Sequence, residues 1–213
     1  MNKTNWLNYW DKKNIWTKSD LWKKNIELFF RKTSNIFDYD KKNTVLDIGC
    51  GNGDFANKIL SRVNQVFCVD ISQEYINICK TRFSNSKNIN VLKLSKDYTD
   101  LSFIKNIKFS IIIANSVVQY YNSQKEIIDL VKSVQKIAAK NAHFLISDIE
   151  VFSDKKKSYF KLIYNSVING YFFSLIKMGL KLIIDKEYSK TERYQPLLIV
   201  NLEKLIQDLS VFV

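Results

Sequence analysis

The sequence is poor in chain breakers, with one Pro and five Gly in 213 residues. That excludes a collagen-like chain and leaves no Gly/Pro-rich linker to divide it into separate units. Cysteine is scarce too. Cys50, Cys68 and Cys79 are an odd number without C-x-x-C spacing, which argues against a disulfide framework. With His143 as the single histidine, no zinc or other metal site is expected, and reduced thiols point to a cytoplasmic protein. Long apolar runs are missing as well. The charge-free stretch Leu162 to Ile176 contains Asn165, Ser166 and Asn169 and is too short and polar to span a membrane. The first ten residues lack the apolar centre of a signal peptide.

What is present suits one ordinary globular domain over 1–213: 46% hydrophobic and 25% charged residues. Basic residues outnumber acidic ones, 33 to 21, for a net charge of +12. Such a balance brings a polyanion partner to mind. Yet the basic set is 29 Lys and 4 Arg, beside 21 Asn and 26 Ile. Arginine is the side chain that reads phosphate and guanine bidentately, so dispersed lysine reads as compositional bias and argues against nucleic acid.

From residue 44, short β-rich runs alternate with amphipathic ones. The runs 44–48, 65–70, 90–94, 109–114 and 143–148 are predicted strands, and Val45-Leu46, Ile111-Ile112-Ile113 and Phe144-Leu145-Ile146 are apolar on both faces as covered parallel strands should be. Between them fall helices at 54–62, from an N-cap at Ser72, and from a capping box at Ser123-x-x-Glu126. The alternation predicts an α/β fold, a doubly wound parallel sheet. Beyond it, Tyr159–Met178 reads as one long aromatic helix closed by Gly179. Leu180–Tyr188 and Tyr194–Val200 read as two further strands around the polar turn SKTER, with Asn201 capping a last helix. A competing reading makes 201–209 the helix before a sixth strand.

The clearest motif is VLDIGCGNGDF at 45–55, where a strand ends at Ile48 and Gly49, Gly51 and Gly53 turn the chain into a helix. Glycines there permit positive φ and close ligand approach, and the helix start offers free N–H groups. Asp70 ends the next strand, 21 residues after Gly49, where a carboxylate can accept from a ribose diol. Asp54 stands where a dinucleotide fingerprint needs glycine, and G-K-[ST] is absent. Asp47, in the last turn of the strand, would repel a pyrophosphate but suits an amino-acid-like cation.

With these motifs in this order, the sequence resembles the class I S-adenosylmethionine-dependent methyltransferases over about 44–150, and more loosely to the C-terminus. The resemblance implies S-adenosylmethionine as cofactor and a Rossmann-like, seven-stranded sheet, mostly parallel with one antiparallel strand near the C-terminus. It implies that Asp47, Gly49, Cys50, Gly51 and Gly53 wrap the methionine part, that Asp70 holds the ribose and that Ile71 lines the adenine. Within Lys96-Asp97-Tyr98, Asp97 matches the contact to the adenine amino group, with Tyr98 beside it, and Asn115 opens the polar–apolar–aromatic stretch through Gln119 and Tyr120. Ser110 departs from the aspartate usual at the start of that strand.

Methyl transfer from a sulfonium is an in-line displacement, so the protein chiefly aligns the partners and excludes water. Asp148 and Glu150, at the crevice end of the fifth strand, are better base candidates than His143, which starts it; Tyr120 is placed to face the acceptor. All four tryptophans, Trp6, Trp10, Trp16 and Trp22, fall in the first 22 residues, and Trp6, Tyr9 and Trp10 share a helical face. In similar methyltransferases a segment before the first strand folds over the cofactor, so the resemblance implies that residues 1–43 form an aromatic lid over the 44–150 cofactor core, with 151–213 on the acceptor side. The alternative is that these rings pack the N-terminal helices to the sheet. Mixed with Lys12, Lys13, Lys18, Lys23 and Lys24, the same aromatics also fit contact with a membrane surface. No [DNS]-P-P-[YFW] stretch, Pro-Cys nucleophile or paired glutamates mark nucleic-acid or arginine methylation. Elimination leaves an oxygen or nitrogen on a small-molecule acceptor, such as a sugar or lipid-linked intermediate. The alternatives are an RNA methyltransferase and a non-catalytic adenosine-ligand binding protein.

Overall fold

A computed structural model describes residues 5–16, 19–151 and 155–210. Lys18, named in the aromatic–lysine segment, lies outside them. Two helices, α1 (Trp6–Trp10) and α2 (Asp20–Thr33), precede the sheet. Then follow β1 (Thr44–Ile48), α3 (Asp54–Ile59), β2 (Gln65–Asp70), α4 (Gln73–Arg82) and β3 (Ile89–Lys93). After β4 (Phe109–Asn115) come a 3-10 turn (Val118–Tyr120), α5 (Gln124–Ile137) and β5 (Ala138–Ser147). Helices α6 (Lys155–Ile168), α7 (Phe172–Ile184), α8 (Lys186–Tyr194) and α9 (Leu202–Ser210) complete the chain.

The five strands pair in parallel in the order β3-β2-β1-β4-β5. Strand β1 is central and alternates its side chains between two cores. Leu46 and Ile48 join Phe67, Phe109, Ile112 and Leu130 on one face. Val45 joins Ile59, Val66, Ile111 and Ile113 on the other. Both sets are essentially shut off from water, and full burial of each such side chain contributes roughly 1.5–3 kcal/mol. The strand order runs outward one way from β1 to β3 and the other way from β4 to β5, and this switch at the β1–β4 pair opens a crevice beyond the carboxyl ends of these strands.

Several expectations for the C-terminal part are corrected. Among the described residues the sheet has five parallel strands, not seven with an antiparallel one. Leu180–Tyr188 is the end of α7 and the start of α8, and SKTER lies inside α8. The apolar run misleads because α7 carries apolar residues on two sides; Leu175, Met178 and Leu182, at helical spacing, pack on Leu21 of α2. Asp185 then caps α8, its Oδ1 accepting from Tyr188 N–H at 2.9 Å. Tyr194–Val200 contributes a single parallel bridge, Val200 to Val151. The long helix breaks at Gly170, which takes φ +70°, while Gly179 sits inside α7. Among the described residues, neither half of this expected acceptor-side helix contributes to the crevice lining. Ser72 caps α4 as expected. Ser123 precedes α5 without a side-chain cap bond, and Glu126 accepts from the Tyr98 hydroxyl and the Asn122 N–H rather than from Ser123. His143 sits mid-strand opposite Ile111, its ring 5.5 Å from Phe37 and away from the crevice. No helix among the described residues is long and apolar enough to cross a membrane.

Candidate functional site

The glycine loop closes the end of β1. Gly49 and Cys50 donate their N–H groups to the Val69 carbonyl at 2.8 and 3.1 Å, tying the loop to β2. Gly49 has φ +69°, and a Cβ there would collide with Val117, so only glycine lets the β1 and β4 ends approach. Gly51, at φ +54°, faces open space, which leaves an uncovered backbone cradle on the crevice. Gly53 caps α3 from the far side of the loop.

Asp70 clasps this loop. Its Oδ2 accepts from Gly51 N–H at 2.9 Å and its Oδ1 from Ser72 N–H at 2.8 Å. Burial pushes its carboxyl up to about 6, against the lowering effect of those N–H donors. Each oxygen keeps acceptor capacity, and the side chain lies on the cavity wall. Asp47 is buried beneath the loop with no partner for Oδ2; burial first, then the Asp70 charge, lifts it to about 8.

The cavity holds about 310 Å³. Of the residues singled out by sequence, Gly49, Gly51, Asp70, Ile71, Tyr98, Asn115, Tyr120 and Asp148 line it. Asp47, Cys50, Gly53 and Asp97 do not reach its wall. Cys50 is buried, its thiol pushed up by hydrogen bonds with Cys68 and Cys79. Asp97 is exposed and accepts from Thr99 N–H and Oγ1–H at 3.2 and 2.8 Å. Asn115 Oδ1 accepts from the Ser147 hydroxyl at 2.9 Å. Next to it, the Ser116 hydroxyl donates to Asp148 Oδ2. Tyr120 remains a phenol, since burial raises it.

All four tryptophans line the cavity. Trp6 is 1% exposed; its indole N–H donates to the Gln195 carbonyl at 2.8 Å, and its ring lies 5.0 Å from Tyr120 and 5.4 Å from Tyr188. Tyr9 donates to Asp185 Oδ2 at 3.2 Å and Lys12 pairs with Glu187 at 2.8 Å. These bonds strap α1 to α8 across the cavity. Trp6 and Tyr9 are thereby buried and unavailable to a membrane surface. Sequence reasoning missed Tyr188 and Gln195, since both fell in stretches read as strands. Tyr75, which also lines the cavity, was passed over on α4. Tyr188 carries a weak signal, because Asp185-x-x-Tyr188 has helix-cap spacing.

The glycine cradle and the Asp70 acceptors on the cavity wall fit a ligand with a ribose diol, and the orphaned Asp47 Oδ2 lies buried behind the loop rather than on that wall. The fold and the middle of the chain have known counterparts. A family model described as a methyltransferase domain matches residues 45–141. Ribosomal RNA small subunit methyltransferase A of Prochlorococcus marinus is 28% identical over 115 residues, 54% of this chain and 40% of that one. The solved structure of Haemonchus contortus phosphoethanolamine N-methyltransferase 1, bound to phosphoethanolamine and S-adenosylhomocysteine, superposes with a TM-score of 0.54. It is 16% identical, over 66% of this chain and 30% of that one. A Leishmania major S-adenosylmethionine-dependent methyltransferase gives 0.53 at 11% identity, over 66% and 58% of the two chains. This chain spans less than half the length of the curated relatives it matches.

Proposed function

We propose that this chain is a class I S-adenosylmethionine-dependent methyltransferase, a reading supported by the methyltransferase-domain match at 45–141, and that it methylates an oxygen or nitrogen of a small-molecule acceptor. One observation carries the acceptor class. Among the described residues the cavity wall has no Lys, Arg or His, although the chain has 33 Lys and Arg. Asp148, Glu150 and aromatic rings stand there instead. Such a wall repels the phosphates of an RNA and accommodates a neutral or cationic molecule such as a sugar or an amine.

When bound, S-adenosylmethionine supplies an electrophilic methyl group on a sulfonium leaving group. In this reading the Gly49–Gly53 loop, with Cys50 and Asp47 behind it, receives the amino-acid end. Asp70 accepts from the ribose hydroxyls, and Ile71 and Tyr98 border the adenine. Asp97, tied to Thr99 outside the wall, is left out of this set. Asn115 marks the floor at the reacting end. Asp148 takes the acceptor proton on Oδ1 while Ser116 holds Oδ2. Trp6, Trp10 and Tyr120 exclude water as the lid, with Tyr120 placed as a hydroxyl donor.

Calorimetric titration with S-adenosylhomocysteine tests the site. Charge-assisted hydrogen bonds are worth about 1.5–3 kcal/mol, so Asp70→Ala should weaken binding at least about tenfold. Equal affinity in a folded Asp70→Ala variant would remove the assignment. Mass spectrometry of candidate acceptors for an added methyl then reads the reaction.

A further inference from the structure

Helices α6 and α7 contribute nothing to the cavity, yet they carry the most exposed apolar surface described in the chain. On α6, Phe160, Ile163, Tyr164, Val167 and Ile168 form a stripe at helical spacing, all exposed. On α7 a second stripe runs through Phe173, Ile176, Leu180, Ile183 and Ile184, opposite the side packed on α2. Phe173 is 84% exposed and Ile183 78%. Exposed apolar stripes of this extent on two consecutive helices mark an interaction surface.

Charge selects its partner. From Lys155 to Ile184 the sequence has six Lys and no Asp or Glu. Exposed Lys161 borders the α6 stripe, and exposed Lys177 and Lys181 border the α7 stripe. None of the three takes part in an ion pair among the described residues. At the turn between the helices, Lys24 donates to the Gly170 carbonyl and Arg31 to Asn169, adding two cations. A second copy docked by two-fold symmetry would set lysines against lysines with no carboxylate between them. Apolar stripes edged by lysine match the acyl–headgroup boundary of an anionic bilayer, which supplies the missing counter-charge.

We propose that the α6–α7 face rests on a membrane surface bearing anionic lipid headgroups. It holds the chain at the interface without spanning it, and it leaves the α1–α8 clasp over the cavity free. This inference stands on the face alone and is independent of the methyl-transfer reading.

Co-sedimentation with vesicles tests it, comparing phosphatidylcholine alone with phosphatidylcholine containing roughly one-third phosphatidylglycerol. The protein should pellet with the anionic vesicles and not the neutral ones, and high salt should release it. Lys161→Gln/Lys177→Gln/Lys181→Gln should lower partitioning on the order of a hundredfold. Phe173→Ser/Ile183→Ser should release it too, with melting curves confirming that both variants fold. No pelleting at low salt, or equal pelleting of the lysine variant, overturns the proposal. A concentration-dependent dimer dissolved by Phe173→Asp, without vesicle binding, overturns it in favour of a second copy.

Discussion

Ser116 and Asp148 face one another across the ends of β4 and β5, both in left-handed backbone (φ 57° and 59°), joined by a hydrogen bond from hydroxyl to carboxylate. Neither is glycine, so both positions carry strain, and the pair lies on the cavity wall. Ser116→Gly should therefore stabilise the fold by about 1 kcal/mol in denaturant unfolding while slowing turnover. Asp148→Asn should lower the rate about 10²- to 10⁴-fold with S-adenosylhomocysteine affinity retained. A normal rate in Asp148→Asn would take the proton-acceptor role from this residue.

Two glycines of one loop should respond differently to the same methyl group. Gly49→Ala meets Val117 as well as left-handed strain and should destabilise on the order of 3 kcal/mol. Gly51→Ala has room and should cost only about 1 kcal/mol, yet its methyl projects toward the ligand. Unfolding midpoints and ligand titration together read the contrast. Intact affinity in Gly51→Ala would place the ligand elsewhere.

The Asp47 carboxyl gives a pH signature with a definite sign. Its folded value, about 8, lies above the ordinary 3.8, so the native state binds the extra proton and stability falls as pH rises between them. Asp70, lifted to about 6, acts in the same direction over the lower part of that range. The melting temperature of Asp47→Asn minus that of the parent should therefore grow from pH 5 to pH 8. A difference that stays flat with pH would show that Asp47 is ionised at little cost.

Trp6 joins α1 to α8 through Gln195 and Tyr188, so its loss should be felt locally. In Trp6→Ala, amide exchange measured by mass spectrometry should accelerate over 5–16 and 186–195, with β1 still protected. Ligand affinity should drop about tenfold or more as water enters. Faster exchange in β1 would instead make Trp6 a general core residue.

The middle of the chain was legible because its signals are short-range and agree with one another. Val45-Leu46 and Ile111-Ile112-Ile113 are apolar on both faces, Gly49 and Gly51 need their φ, and Ser72 caps α4. Asp70 was found by spacing, although its grip on Gly51 N–H was not. The C-terminal third misled because α7 buries one apolar side and exposes another, which erases the amphipathic period. Gly170 and Gly179 look alike in sequence, and only φ +70° at Gly170 marks the break. Tyr188 and Gln195 gain their place from α1, more than 170 residues away, a contact no local pattern encodes.

That clasp between α1 and α8 divides labour along the chain. The loop and Asp70 lie inside the 45–141 match, whereas Trp6, Trp10, Asp148 and Tyr188 lie outside it. The two ends of the chain can thus diversify what enters the cavity without disturbing the loop and Asp70. Grafting the flanks of one relative onto the centre of another would exchange acceptor choice while leaving the cofactor site in place.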